Sequence, residues 1–151
     1  ISKMINSSKQ ARVIHLKRSQ RAVCNSIFKA RQNRYGALNV FYGAKTSAHQ
    51  EIRKIKDPIE QVVKQVQDLS SDITQQLIKI SPNKVFEIDI SDLRKQPIIT
   101  VSEIGKFLNA EPTSNLPNNM SFPDRDNVSF FDEKYQKHFE FIFEKYFGNN
   151  A

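Results

Sequence analysis

Arg18 and Ser26, eight positions apart, have the types and spacing to hold an anion. They lie in the run R-V-I-H-L-K-R-S-Q-R-A-V-C-N-S-I-F-K-A-R, residues 12–31. Its first part reads as an apolar strand and its second as a helix. Arg18 then falls at the carboxyl end of the strand, the edge at which open α/β sheets bind ligands. Ser26 falls about two turns into the helix, roughly 10 Å along it at 1.5 Å per residue. An arginine side chain covers much of that distance. Arg18 would grip a phosphate by charge-assisted hydrogen bonds and Ser26 by its hydroxyl. The helix N-terminus would add backbone donors and a favourable dipole. The same spacing also fits a surface arginine and a helix serine set beside Ala22, and spacing alone leaves both readings open.

The other chemistry-bearing residues are scattered. Cys24 is the only cysteine, so no intrachain disulfide forms. His15, His49 and His138 show no metal-ligand spacing with it, and no metal is expected. His15 sits inside the strand, where core or supporting placement is expected rather than catalysis. None of Gly36, Gly43, Gly105 and Gly148 belongs to a phosphate-cradling loop. No residue is assigned as catalytic. Arg31, Arg34, Lys45, Arg53 and Lys54 surround Tyr35, Phe41 and Tyr42. Such a set either stacks on and neutralises a sugar or nucleotide, or packs on its own domain as an amphiphilic loop. Arg125, in F-P-D-R-D-N, reads as a solvated loop residue.

The elements that must position these residues follow from periodicity. Residues 1–10 read as the tail of a helix. Residues 11–17 read as a strand with Val13, Ile14 and Leu16 as its apolar part. Ser19 caps a helix over 20–33, with Ala22, Val23, Ile27 and Ala30 at helical spacing. Residues 34–56 read as a long loop with short helical pieces, a length that in compact domains is often functional. Asp57-Pro58 starts a helix. Ile59, Val62, Val63, Val66, Leu69, Ile73 and Leu77 recur along it as one apolar stripe, and Ser81-Pro82-Asn83 ends it. Lys84 to Ile90 is a second strand. Thr100 and Glu103 form a capping box that opens a helix with Ile104, Phe107 and Leu108. Residues 110–130, with Pro112, Pro117 and Pro123, are irregular. A last helix covers 131–147. Strands alternating with helices predict a mainly parallel sheet with helices on its faces.

The 151 residues carry 23 Lys+Arg against 16 Asp+Glu, a net charge of +7. That excess favours anionic partners without choosing among them. Phe occurs 11 times and Trp not at all, so an aromatic core is expected. No apolar run approaches the roughly 20 residues of a membrane span. The Phe-rich last helix is expected to be core, or a face for a homo-oligomer. Its Asp132, Glu133, Glu140 and Glu144 suit neither anionic lipid nor nucleic acid.

Residues 12–31 resemble the 3′-phosphate-binding strand and helix of sulfotransferases that use 3′-phosphoadenosine 5′-phosphosulfate (PAPS). That family's pattern is an apolar strand, then Arg, then Ser eight positions later, matched here by Arg18 and Ser26. The run R-A-V-x-N-S followed by K-A-R is similar to the carbohydrate-directed branch. Ser19-Gln20 stands where that branch often has Asp-Pro or a basic pair. V-F-E-I-D-I-S-D-L-R-K-Q-P, residues 85–97, and I-G-K-F-L-N, residues 104–109, resemble the family's late strand, Tyr-Glu-Asp-Leu element, proline, and helix ending Phe-Leu-Gly. Ile90-Ser91-Asp92-Leu93 stands at the Tyr-Glu-Asp-Leu position. The two segments cover roughly residues 11–110.

The resemblance implies a three-layer α/β, P-loop-like parallel sheet with flanking helices, of which residues 1–151 are the C-terminal portion. The 3′-phosphate-binding strand and helix would occupy 11–33, and the late strand and helices 84–147. It implies transfer of a sulfuryl group from PAPS to a hydroxyl of a carbohydrate or glycolipid, with Arg18 and Ser26 holding the 3′-phosphate. The family's Pro-Lys-Ser-Gly-Thr-Thr type loop and its general base normally lie upstream of such a segment. The chain alone is therefore expected to be inactive and poorly stable, with an unpaired strand edge and an exposed apolar face. No nucleic-acid partner is expected. The compartment would be the cytoplasm in a bacterium or the Golgi lumen in a eukaryote. The alternative is a non-catalytic basic module contacting nucleic acid or another polyanion. A kinase-like phosphoryl transferase on the same fold is a third reading, and it would need a loop ending in Lys-Ser/Thr with a magnesium site.

Overall fold

The computed structural model describes residues 2–110, 122 and 132–148. The element order is α1 (Ser2–Ser7), β1 (Val13–Lys17), α2 (Gln20–Tyr35), α3 (His49–Lys54), α4 (Pro58–Leu77), a 3₁₀ turn (Pro82–Lys84), β2 (Val85–Asp89), α5 (Ile90–Lys95), α6 (Pro97–Leu108) and α7 (Glu133–Phe147). The chain is mixed α/β and mostly helical, and it divides into two compact units. Unit 1 comprises Ile1–Arg18 and Gln75–Arg125; unit 2 comprises Ser19–Thr74 and Asp126–Ala151.

In unit 1, β1 and β2 pair in parallel, with Val13 opposite Val85 and Lys17 opposite Asp89. The expected parallel relation of these two strands holds, and among the described residues they form a two-stranded sheet. Alternation puts Ile14 and Leu16 on one face, 41% and 47% exposed, and His15 and Lys17 on the other. On β2, Ile88 is buried and the Phe86 ring stacks on Phe107 of α6 at 5.2 Å. Lys84 Nζ donates to the carbonyls of Ile5 (2.8 Å), Asn6 (3.2 Å) and Ser8 (2.6 Å). A cation thereby satisfies carbonyls that the end of α1 leaves without intrahelical partners. The Asn6 amide adds bonds to Lys79 and Ser81, tying α1 to the approach to β2.

One expectation about the helices needs correction here. Thr100 does not open a helix. Pro97 occupies the first turn of α6, where its missing N–H costs nothing, and the helix begins behind Gln96. Thr100 is therefore interior, buried, and its hydroxyl bonds back to the Gln96 carbonyl at 3.0 Å. The segment matched to Tyr-Glu-Asp-Leu is itself a short helix, α5, capped by Asp89 accepting from Ser91 N–H at 2.8 Å. The residue after α6, Asn109, takes the left-handed conformation (φ 54°) that closes helices.

In unit 2 the core forms where α2, α4 and α7 meet. Cys24 and Phe28, Ile59, Val62, Val63 and Val66, and Phe139 and Ile142 are its buried members. The α4 stripe is buried along its first two turns, while Leu69, Ile73 and Leu77 are only half-buried. The expected aromatic core is corrected in part. Its centre is mainly aliphatic, with Phe28 and Phe139 edge-to-face at 6.2 Å, and Tyr135, Phe143, Tyr146 and Phe147 pack around it. Small β-branched side chains from α4 interdigitate at the centre, and the bulkier rings of α7 cover its rim. Arg21 pairs with Glu140 and lies 4.3 Å over the Phe143 ring, joining α2 to α7. On α4, Asp57 caps the helix through Ile59 N–H and also meets His138 of α7 at 2.6 Å. The expected irregular segment 110–130 and Arg125 lie, apart from Ala110 and Phe122, outside the described residues.

Candidate functional site

The strand-to-helix passage is built as its sequence suggests. Strand β1 ends at Lys17, Arg18 follows, and Ser19 caps α2 by accepting from Ala22 N–H at 3.4 Å. Arg18 is half-buried and engaged in an interaction within the chain. Ser26 is exposed on α2, on the side away from Cys24 and Phe28, and so is not tucked into the helix packing. Arg18 closes the first segment of unit 1 and Ser26 belongs to unit 2.

His15 sits on the polar face of the sheet. Its Nδ1 lies 3.0 Å from Oε1 of Glu87, its register partner, and Lys17 Nζ reaches the other carboxylate oxygen at 3.3 Å. The hydrogen bond from His15, then that from Lys17, holds the Glu87 carboxyl below the usual carboxylate range. The imidazole is thus a half-buried cross-strand partner on the polar face, outside the core. Glu87 was not singled out in the sequence because only register places it opposite His15. Cys24 is fully buried, and desolvation pushes its thiol up to about 12, so it is no nucleophile at neutral pH.

The basic-aromatic stretch resolves into a pinned loop, residues 36–48, between α2 and α3. Gly36 ends α2 in the left-handed region (φ 65°). Arg31, fully buried one turn before that end, donates from Nη1 to the Leu38 carbonyl (2.8 Å) and to Gln61 Oε1 (2.7 Å), and from Nη2 to Gln65 Oε1 (3.3 Å). Gln65 Nε2 in turn donates to the carbonyls of Tyr42 (3.0 Å) and Ala44 (3.3 Å). Asp72 accepts from the Ser47 N–H and hydroxyl, both at 2.8 Å, and Asp68 accepts from Ala48 N–H at 3.0 Å. Arg31 forms no ion pair among the described residues, and burial pushes its pKa down to about 10, still cationic at neutral pH. Its Nε, Thr46 Oγ1 and His49 Nδ1 are buried without a hydrogen-bond partner among the described residues.

Arg31 and His49 both lie against Phe41, the guanidinium at 5.7 Å and the imidazole at 4.5 Å from its ring centroid. Arg34 covers Tyr42 at 5.8 Å, and Tyr35 stands edge-on to Tyr42 at 6.3 Å. Of the five bases named from the sequence, Arg31 is therefore interior, Lys54 pairs with Glu51 at 2.7 Å, and Arg34, Lys45 and Arg53 are exposed. The interior role of Gln61 and Gln65 escaped the sequence reading. The available signal was their i, i+4 placement directly beside Val62 and Val66 on the apolar stripe.

Among the described residues, no group of three or more His, Cys, Asp and Glu could hold a metal ion, and no helix is long and apolar enough to cross a membrane. No family model, curated protein or solved structure matches the chain.

Proposed function

We propose that this chain carries the donor-binding side of a sulfotransferase that moves a sulfuryl group from PAPS to a hydroxyl of a carbohydrate or glycolipid. The observation that supports it is local. A strand, paired in parallel with β2, runs through Arg18 directly into a helix capped by Ser19, with Ser26 exposed on that helix. In this reading the β1–β2 pair belongs to a three-layer P-loop-like sheet. The bond from sulfur to the phosphate oxygen breaks, a bond from sulfur to the acceptor oxygen forms, and 3′,5′-ADP leaves. The acceptor proton passes to a base that remains unassigned. Arg18 and Ser26 hold the 3′-phosphate and take no part in bond making. The first turn of α2 adds backbone N–H groups and the positive end of its dipole.

The test is calorimetric titration of 3′,5′-ADP into the full protein and its Arg18→Ala variant. Charged hydrogen bonds of this kind contribute about 1.5–3 kcal/mol each, so affinity is expected to fall roughly ten- to a hundredfold. Binding that is unchanged in the variant refutes the assignment. Affinity that falls steeply with salt and shows no preference for 3′,5′-ADP favours a basic module for polyanions instead.

A further inference from the structure

We propose that the outer surface of the α2–α3 connection binds an anionic carbohydrate, with Arg34, Tyr35, Tyr42 and Lys45 as its contacts. Its use as an acceptor site rests on the sulfotransferase reading. The binding itself is a separate property, carried by charge, exposed aromatic surface and rigidity.

The charge is segregated along the chain. Residues 1–56 hold thirteen of the 23 Lys+Arg but only one of the 16 Asp+Glu, Glu51. Lys54 already occupies that carboxylate. Arg34, Lys45, Arg53 and Lys56 are exposed and form no ion pair among the described residues. Of the other exposed bases of unit 2, Lys145 pairs with Glu60, and Lys134 and Lys137 have Glu133 and Glu140 near them in sequence. Asp68 and Asp72 meet the loop at Ser47 and Ala48 and pair with none of these bases; bases without an ion pair attract anionic groups.

The aromatic part is small. Tyr35 is 46% exposed, and its neighbour Tyr42 carries the Arg34 guanidinium over its ring. One open ring beside bases fits a sugar. The C–H face of the sugar packs on Tyr35, its carboxylate or sulfate meets Arg34 and Lys45, and its hydroxyls bond to the loop. Single-stranded nucleic acid instead stacks successive bases on a series of aromatics along a basic groove.

The loop is held before any ligand arrives. Arg31, Gln65, Asp68 and Asp72 fix its backbone from beneath, and one Gln65 amide holds the carbonyls of both Tyr42 and Ala44, the residue before Lys45. A surface ordered in advance loses little conformational freedom on binding. Ser26 lies on the same helix eight residues before Arg34, about 12 Å along its axis. Donor contact and acceptor surface would then share α2.

The test is titration of the full protein with a sulfated, uronate-containing hexasaccharide. Its desulfated, carboxyl-reduced counterpart and an oligodeoxythymidylate of equal charge serve as comparisons. The sulfated sugar is expected to bind at least about tenfold more tightly than either comparison. Tyr35→Ala, and separately the exposed loop change Lys45→Glu, should each weaken it by about tenfold or more, with circular dichroism unchanged. Equal or tighter oligonucleotide binding overturns the proposal, as does absence of sugar binding or indifference to both variants. A parallel titration with 3′,5′-ADP separates the two readings. Nucleotide binding without sugar binding removes the surface and leaves the donor reading; sugar binding without nucleotide binding does the reverse.

Discussion

Arg31 donates to the Gln61 side-chain oxygen at 2.7 Å in the interior of unit 2, a buried cation held by neutral amides and a carbonyl. Burying a charge is costly unless hydrogen bonds replace its water. Here the replacement also does structural work, because the acceptors belong to α4 and to the loop. The guanidinium joins the end of α2, the first half of α4 and the backbone at Leu38.

That arrangement predicts unequal costs. Arg31→Ala leaves a cavity and orphans the Gln61 and Gln65 amide oxygens, and should destabilise unit 2 by about 2–5 kcal/mol. Gln61→Ala leaves Nη1 with the Leu38 carbonyl alone and should cost about 1–3 kcal/mol. Arg31→Met fills the volume without a charge and should cost less than Arg31→Ala. Urea denaturation measures all three. Limited proteolysis should cut residues 36–48 faster in Arg31→Ala than in the parent.

Glu60 gives a pH-dependent contribution. It accepts from Lys145 and from the Tyr146 hydroxyl, both at 2.7 Å, and these bonds, that of Lys145 first, hold its carboxyl below the usual range. A depressed carboxyl stabilises the fold above its unfolded pKa of about 4.3, and that stability is lost as pH falls through the lower folded value. Glu60→Gln should therefore lower the thermal midpoint by a few degrees at pH 7. The gap between variant and parent should close in strong acid. A gap that persists unchanged at low pH would show that packing, not charge, explains it.

Cys24 offers a clean probe of opening. Its thiol is fully buried in the unit 2 core and pushed up to about 12 by desolvation. In the native protein it should resist a thiol reagent at neutral pH and react only as fast as the unit opens. Arg31→Ala should speed that labelling, and rapid labelling of the parent would contradict the packing described.

Local periodicity alone was enough to read most elements. The stripe from Ile59 along α4, the Ser19 cap and the two strands depend on neighbours within a turn or on alternation, and both are visible in the chain itself. The parallel pairing of β1 with β2 followed from the helices between them, since parallel strands need a long crossover. Thr100 misled because two start signals competed, and Pro97, three residues earlier, fitted the first turn of α6 without loss. Only tertiary structure decided which polar residues went inside. By sequence Arg31 is one base in a basic stretch, and Gln61 and Gln65 are polar residues next to the apolar stripe. Their partners lie 30 and 34 residues apart in sequence. The His15–Glu87 pair spans 72 residues and exists only in this strand register. A buried polar group is stable only where partners from separate elements converge on it, and no local pattern encodes that convergence.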